Sequence, residues 1–227
     1  MVATNPPFSA VIFDCDGVMV DSERIYLEVE MHHLAEIGLH FSRHEYQQTF
    51  NGLRPQDFII EVATAYEKLG KGPLPENFGP DLASEAYARI EADLQAIDGI
   101  HALLDRLPDS PKAVASSSSA PRLFRKLELT NLTSYFGGHV YSGDFVENGK
   151  PAPDLFLYSA EKLGVAPAGC LVIEDSVNGV LAGIAAGMDV WGFTGGGHAD
   201  EALGHHLKAA GASRVFDSHH AMAAALA

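Results

Sequence analysis

The sequence predicts an α/β fold, a doubly wound parallel sheet interrupted once by a helical insertion, and three observations support the prediction. Short runs of β-branched and aromatic residues alternate with amphipathic helical patterns, as parallel strands joined by crossover helices require. The alternation lapses between about residues 22 and 96, where helical patterns follow one another with no strand between them. At 227 residues and 47% hydrophobic content, the chain can bury one large core and still carry a smaller insertion. The expected division is an α/β core of residues 1–21 and 97–227 and a helical cap of residues 22–96.

The first strand is SAVIFD (9–14), an apolar run of the kind that is buried on both faces. The insertion follows as SERIYLEVEMHHLAEIG (22–38), PQDFIIEVATAYEKLG (55–70) and DLASEAYARIEADLQAI (81–97), with GKGPLPENFGP (70–80) as an irregular loop and Asp98-Gly99 as the return to the core. Five further strands are KAVASS (112–117), GHVYSG (138–143), CLVIED (170–175), DVWGFT (189–194) and SRVFD (213–217). Trp191 and Phe193 are expected to pack in the last strands. Between strands, DLFLYSAEKLG (154–164) places Phe156, Ala160 and Leu163 on one helical face and offers Gly164 as its C-cap. The sequence has no internal repeats.

The formal charge of −15 comes without any cluster of Lys and Arg, which argues against nucleic acid or an anionic membrane as partner and for a small molecule. No run approaches the roughly 20 apolar residues of a membrane span. Cys15 and Cys170 sit inside apolar runs, and no basic and apolar leader precedes the first strand, so free thiols and a cytoplasmic location are expected. A monomer is the expected oligomeric state.

FDCDGVMVDSE (13–23) puts Asp14, Asp16 and Asp21 directly after a buried strand. In open α/β sheets ligands bind just beyond the carboxyl ends of the strands. Residues i and i+2 of an extended segment point the same way, roughly 6.6 Å apart, so Asp14 and Asp16 can approach one group from one side. Such a pair needs a cation or a proton, although an isolated Asp-x-Asp-Gly reads equally as a polar turn. Three later strand ends supply what the pair requires. VIEDSVNG ends in Glu174-Asp175, hard oxygen donors suited to Mg²⁺, or alternatively a helix cap. VASSSS offers the Ser116 hydroxyl and the backbone N–H groups from Ser117 onward for phosphate oxygens, or alternatively a flexible loop. GKPAPD offers Lys150 as a point cation, or a solvated lysine in a turn. Each signal is weak alone; the order Asp-x-Asp, Ser, Lys, Glu-Asp is a strong pattern.

With these motifs the chain resembles, over essentially its whole length, the haloacid dehalogenase superfamily, in the branch with a helical cap after strand one that includes β-phosphoglucomutases and sugar-phosphate phosphatases. The resemblance implies a Rossmann-like core. It implies that Asp14 is the nucleophile that takes the phosphoryl group and that Asp16 is the general acid and base. It implies that Ser116, Ser117 and Lys150 bind the phosphoryl, and that Mg²⁺ sits on Asp14, the Asp16 backbone carbonyl and Asp175, with Glu174 in support. Members that attack haloacids lack an acid at the position of Asp16, so phosphate esters are the implied substrates. Mutases of the branch carry His at the position of Tyr26 and Lys at that of Asn51; the departures here favour a phosphatase. Arg54, in the same stretch as Asn51, is a candidate for the polar end of the substrate. A phosphosugar mutase is the alternative, and a non-catalytic sugar-phosphate binding protein a further one. The pairs His32-His33, His205-His206 and His219-His220 are read as surface residues without a role, and TGGGHAD (194–200) as a mobile connection near the site rather than a nucleotide loop.

Overall fold

The computed structural model describes residues 8–50, 55–107 and 110–226. The strands are β1 (Ala10–Phe13), β2 (Lys112–Ser116), β3 (Val140–Ser142), β4 (Cys170–Glu174), β5 (Asp189–Phe193) and β6 (Arg214–Phe216). They form one parallel sheet in the order β3-β2-β1-β4-β5-β6. Each lies within one of the six predicted runs, trimmed by a residue or more at its ends. Trp191 and Phe193 lie buried in β5.

Strand β1 is buried on both faces, and its alternation divides the core. Val11 and Phe13 join the layer formed with α5 (Ile100–Asp105), α6 (Ala120–Leu129) and α10 (His219–Ala225). Ala10 and Ile12 face the other layer, with α7 (Asp154–Leu163), α8 (Val177–Ala185) and α9 (Leu203–Ala210). In α7, Phe156 and Ala160 are buried, Leu163 packs against them, and Gly164 takes the left-handed C-cap conformation. Strands β2 and β4 flank β1, so the chain winds away from β1 in both directions and makes it the switch point of the sheet, where ligands bind.

The chain divides into two compact units, Met1–Glu23 with Leu94–Ala227, and Arg24–Asp93. The second unit is helical: α1 (Ser22–Glu36), which starts in the first unit, α2 (Arg43–Phe50), α3 (Pro55–Lys68) and α4 (Phe78–Asp93). It has its own apolar cluster around Leu34, Phe50, Phe58, Val62 and Phe78. Helix α2 is missing from the predicted elements because its sequence, RHEYQQTF, is polar. Its start is nonetheless signalled by a capping box, in which the Ser42 N–H donates to Glu45 Oε2 (2.8 Å) and the Glu45 N–H to Ser42 Oγ (3.3 Å). Helix α4 begins at Phe78, inside the predicted loop, because Pro80 falls in its first turn, where the missing N–H has no intrahelical partner to lose.

Among the described residues no helix is long and apolar enough to cross a membrane. Both cysteines are free and buried. The expectation of surface histidines holds for His32, His205, His206 and His220 but not for the others. His33 is buried and bonds Glu85 (2.9 Å). His219 is buried, stacked on Phe193 (4.3 Å between centroids) and bonded through Nε2 to the Val18 carbonyl (2.8 Å).

Burial lowers the His219 imidazole from its ordinary 6.5 to about 4. The unfolded chain therefore takes up this proton first, and the stability due to neutral His219 is complete above pH 6.5 and is lost as the pH falls towards 4. His219→Phe should remove this component, about 3 kcal/mol across the interval. Urea denaturation at stepped pH will show it, and parallel pH profiles for the two proteins would contradict it.

Candidate active site

The site is built where β1 ends. The Asp14 N–H donates to the Ile173 carbonyl of β4 (2.9 Å), which fixes the first carboxylate at the edge of the sheet. The chain then closes a tight turn, with Met19 N–H bonded to the Cys15 carbonyl and Gly17 N–H to the Val20 carbonyl (each 2.9 Å), and buries Val18, Met19 and Val20 beneath it. Gly17 has φ +74°, and a Cβ there would overlap the Asp175 carboxylate. Glycine thus lets the end of β4 close against the turn after β1.

Asp14 belongs to a buried ion triad. Lys150 Nζ donates to Asp14 Oδ1 (2.5 Å), Glu174 Oε1 (2.6 Å) and the Ala115 carbonyl (2.9 Å), and its side chain is 4% exposed. The other Glu174 oxygen accepts from the Ser176 N–H and hydroxyl (each 2.9 Å), which tethers it to the start of α8. Burial works against the Lys150 ammonium, but Asp14 and Glu174 outweigh it and push its pKa up. Asp14 itself is raised well above the ordinary carboxyl value by burial and by Glu174, Asp175 and Asp16, against the opposing effect of Lys150.

Asp16 is held separately. Ser22 Oγ donates to its Oδ1 (2.5 Å), Ser118 Oγ (2.8 Å) and Ser116 Oγ (3.2 Å) donate to its Oδ2, and Lys126 Nζ, from α6, pairs with Oδ1. Burial raises its pKa, but Lys126 and the hydroxyls of Ser22 and Ser118 win and hold it at about 2. Asp16 is therefore a carboxylate at neutral pH.

Asp175 bonds His198 Nε2 (3.2 Å); its own pKa is raised by burial and Glu174 despite His198, whereas His198 is raised by Asp175, Glu23 and Asp21 despite burial. Glu23, in the first turn of α1, is pushed up to about 7 by burial, Asp16 and Asp175. The loop that carries His198 is docked by the Gly197 N–H on Asp21 Oδ1 (2.9 Å).

Among the described residues no group of three or more His, Cys, Asp and Glu is disposed as a complete metal-binding set. Mg²⁺ needs no such set, since it is bound through one or two carboxylates with substrate phosphate and water completing its shell. Asp14 and Asp175 are hard oxygen donors at the ends of adjacent strands, and Asp14, Asp16, Glu23, Glu174 and Asp175 together outnumber Lys126 and Lys150. This donor chemistry and excess negative charge fit a divalent cation.

The structure brings Asp14, Lys150 and Glu174 together in one triad and puts Ser116 on Asp16. Ser117 is exposed at the end of β2. Tyr26 is half-buried on α1 in the helical unit, and Asn51 and Arg54 lie outside the described residues. Ser22, Glu23, Ser118, Lys126 and His198 were not anticipated. A signal for Lys126 existed: it shares the buried face of α6 with Leu123 and Leu127, an apolar stripe on which a lysine needs a partner.

Residues 8–187 match the haloacid dehalogenase-like hydrolase family. The chain is 30% identical over 190 residues to 6-phosphogluconate phosphatase of Escherichia coli (strain K12), covering 83% of this chain and 84% of that protein. Its fold is similar to a conserved haloacid dehalogenase-like protein of unknown function from Agrobacterium tumefaciens str. C58 (TM-score 0.87, 37% identity, 96% of this chain and 97% of that one). It is also similar to a HAD family hydrolase from Deinococcus radiodurans R1 solved with bound phosphate and sodium (TM-score 0.84, 38% identity, 97% and 96%).

Removing the cation of the triad strands two buried carboxylates. Lys150→Met should cost about 3–5 kcal/mol of stability at neutral pH, read by equilibrium denaturation. A loss below about 1 kcal/mol, the range of an exposed pair, would contradict the buried triad.

Proposed function

The chain belongs to the haloacid dehalogenase-like hydrolases, and from that premise we propose that it is a Mg²⁺-dependent phosphatase acting on a small phosphate monoester, a sugar or sugar-acid phosphate, through an aspartyl phosphate on Asp14. The observation that carries this reading is the pair of carboxylates at the switch point of the sheet, Asp14 held by Lys150 and Asp16 bracketed two residues on. Similarity to a 6-phosphogluconate phosphatase over most of both chains supports the substrate class.

In the first step an Asp14 oxygen attacks phosphorus, the bond from phosphorus to the ester oxygen breaks, and Asp16 gives its proton to the leaving oxygen. Asp16 rests as a carboxylate, so it must be protonated when it acts as the acid; the like charge of a phosphoryl dianion beside it favours that. In the second step Asp16, again a carboxylate, takes a proton from water as the water oxygen attacks phosphorus. The bond from phosphorus to Asp14 breaks, and inorganic phosphate leaves. Lys150, the Ser116 hydroxyl and the backbone at Ser117 hold the phosphoryl oxygens, since this chemistry depends on positioning and charge neutralisation. Mg²⁺ would be held by Asp14, Asp175 and the Asp16 backbone carbonyl, with Glu174 in support, and when bound offsets the charge of the phosphoryl oxygens. The helical unit is assigned the choice of leaving group, through Tyr26, Asn51 and Arg54.

A screen of phosphate monoesters with Mg²⁺, measuring released phosphate, should find sugar phosphates among the substrates, and Asp14→Asn should abolish their turnover. Undiminished phosphate release from the folded variant would remove Asp14 as nucleophile. In the same assay EDTA should stop turnover and Mg²⁺ restore it; full activity in chelator would end the metal assignment.

A further inference from the structure

Lys126 is a buried cation of the site to which the reaction above gives no part. It lies on the core-facing side of α6 with Leu123 and Leu127, 3% exposed. A buried ammonium costs several kcal/mol unless it is paired, so what it bonds accounts for its place. Its Nζ pairs with Asp16 Oδ1 and donates to Ser118 Oγ (3.1 Å), and Ser118 Oγ donates to Asp16 Oδ2 (2.8 Å). The lysine thus grips the carboxylate at both oxygens, directly at one and through Ser118 at the other. Ser22 and Ser116 add neutral hydroxyl donors, which can rotate to other partners. The charged contact is about twice as strong as a neutral one and sets the plane of a side chain that would otherwise turn about its own torsions.

We propose that Lys126 is a positioning residue of the reaction, fixing with Ser118 the orientation of the Asp16 carboxylate from which it meets the leaving group. The proposal rests on the proton-transfer role given to Asp16 above. Lys126 bonds Asp16, not Asp14, and acts through Asp16. A lysine that merely stabilised the fold would, on removal, slow every substrate in the same proportion. A lysine that positions the proton donor matters most where the leaving oxygen needs a proton.

The test follows phosphoenzyme formation in single turnovers of the full chain with Mg²⁺, using p-nitrophenyl phosphate and the sugar phosphate hydrolysed fastest in the screen. Asp16→Asn should slow the sugar phosphate by about 10²-fold or more and the aryl ester far less. Lys126→Met should show the same bias in rate, with substrate affinity little changed. The double variant Asp16→Asn/Lys126→Met should be no slower than Asp16→Asn alone, as expected when one residue works through the other. If Lys126→Met does not fold, Ser118→Ala removes one arm of the bracket without stranding a charge and should carry the same bias. Equal slowing of both esters, or a loss that adds to that of Asp16→Asn, would overturn the proposal and leave the phosphatase reading standing. Absence of bias in Asp16→Asn itself would instead overturn the reading, and the proposal with it.

Discussion

Parallel register brings two carboxylates level at the centre of the sheet, and one ammonium makes that arrangement tolerable. Phe13 of β1 lies opposite Ile173 of β4, so the next residues, Asp14 and Glu174, stand side by side on strands about 4.8 Å apart. Buried like charges at that spacing repel strongly. Lys150 arrives from beyond β3, bonds the Ala115 carbonyl of β2 on its way, and ends between the two acids. One side chain therefore ties β2, β1 and β4 together at the edge where the sheet changes direction. The closeness of Gly17 to Asp175 and the tether of Glu174 to Ser176 both presuppose that edge.

From this constraint the two acids of the Asp-x-Asp motif acquire different surroundings. Asp14 shares its lysine with Glu174, and burial and the neighbouring acids disfavour its carboxylate form, which is the condition a divalent cation offsets. Asp16 is saturated by hydroxyls and a lysine of its own and rests as a carboxylate. Environment, not residue type, sets the pair apart, as in other sites that give two carboxylates two tasks.

The strands and the strand-end residues were legible in the sequence because both are local. A buried parallel strand is a continuous apolar run, and an acid that ends such a run stands out against it. Several partners of those acids were not, because tertiary packing supplies them. Lys126 is 110 positions from Asp16, and only its intrusion into the Leu123–Leu127 stripe marks it. His198 sits in a glycine-rich stretch that reads as a free loop until Gly197 is seen bonded to Asp21. His219 has the sequence neighbours of a surface histidine and is buried where α10 packs on α5 and β6, its ring stacked on Phe193. Helix α2 was masked by its polarity although its capping box was present.

The central claim is that phosphate passes through a covalent bond to Asp14, and trapping that bond tests it most directly. Enzyme mixed with an excess of a good sugar-phosphate substrate and Mg²⁺, quenched in acid within a single turnover and digested, can be mapped by mass spectrometry. The account predicts one added phosphoryl group, labile to hydroxylamine, on the peptide that contains Asp14. Phosphate release at full rate with every peptide unmodified, or the label on another residue, would contradict it.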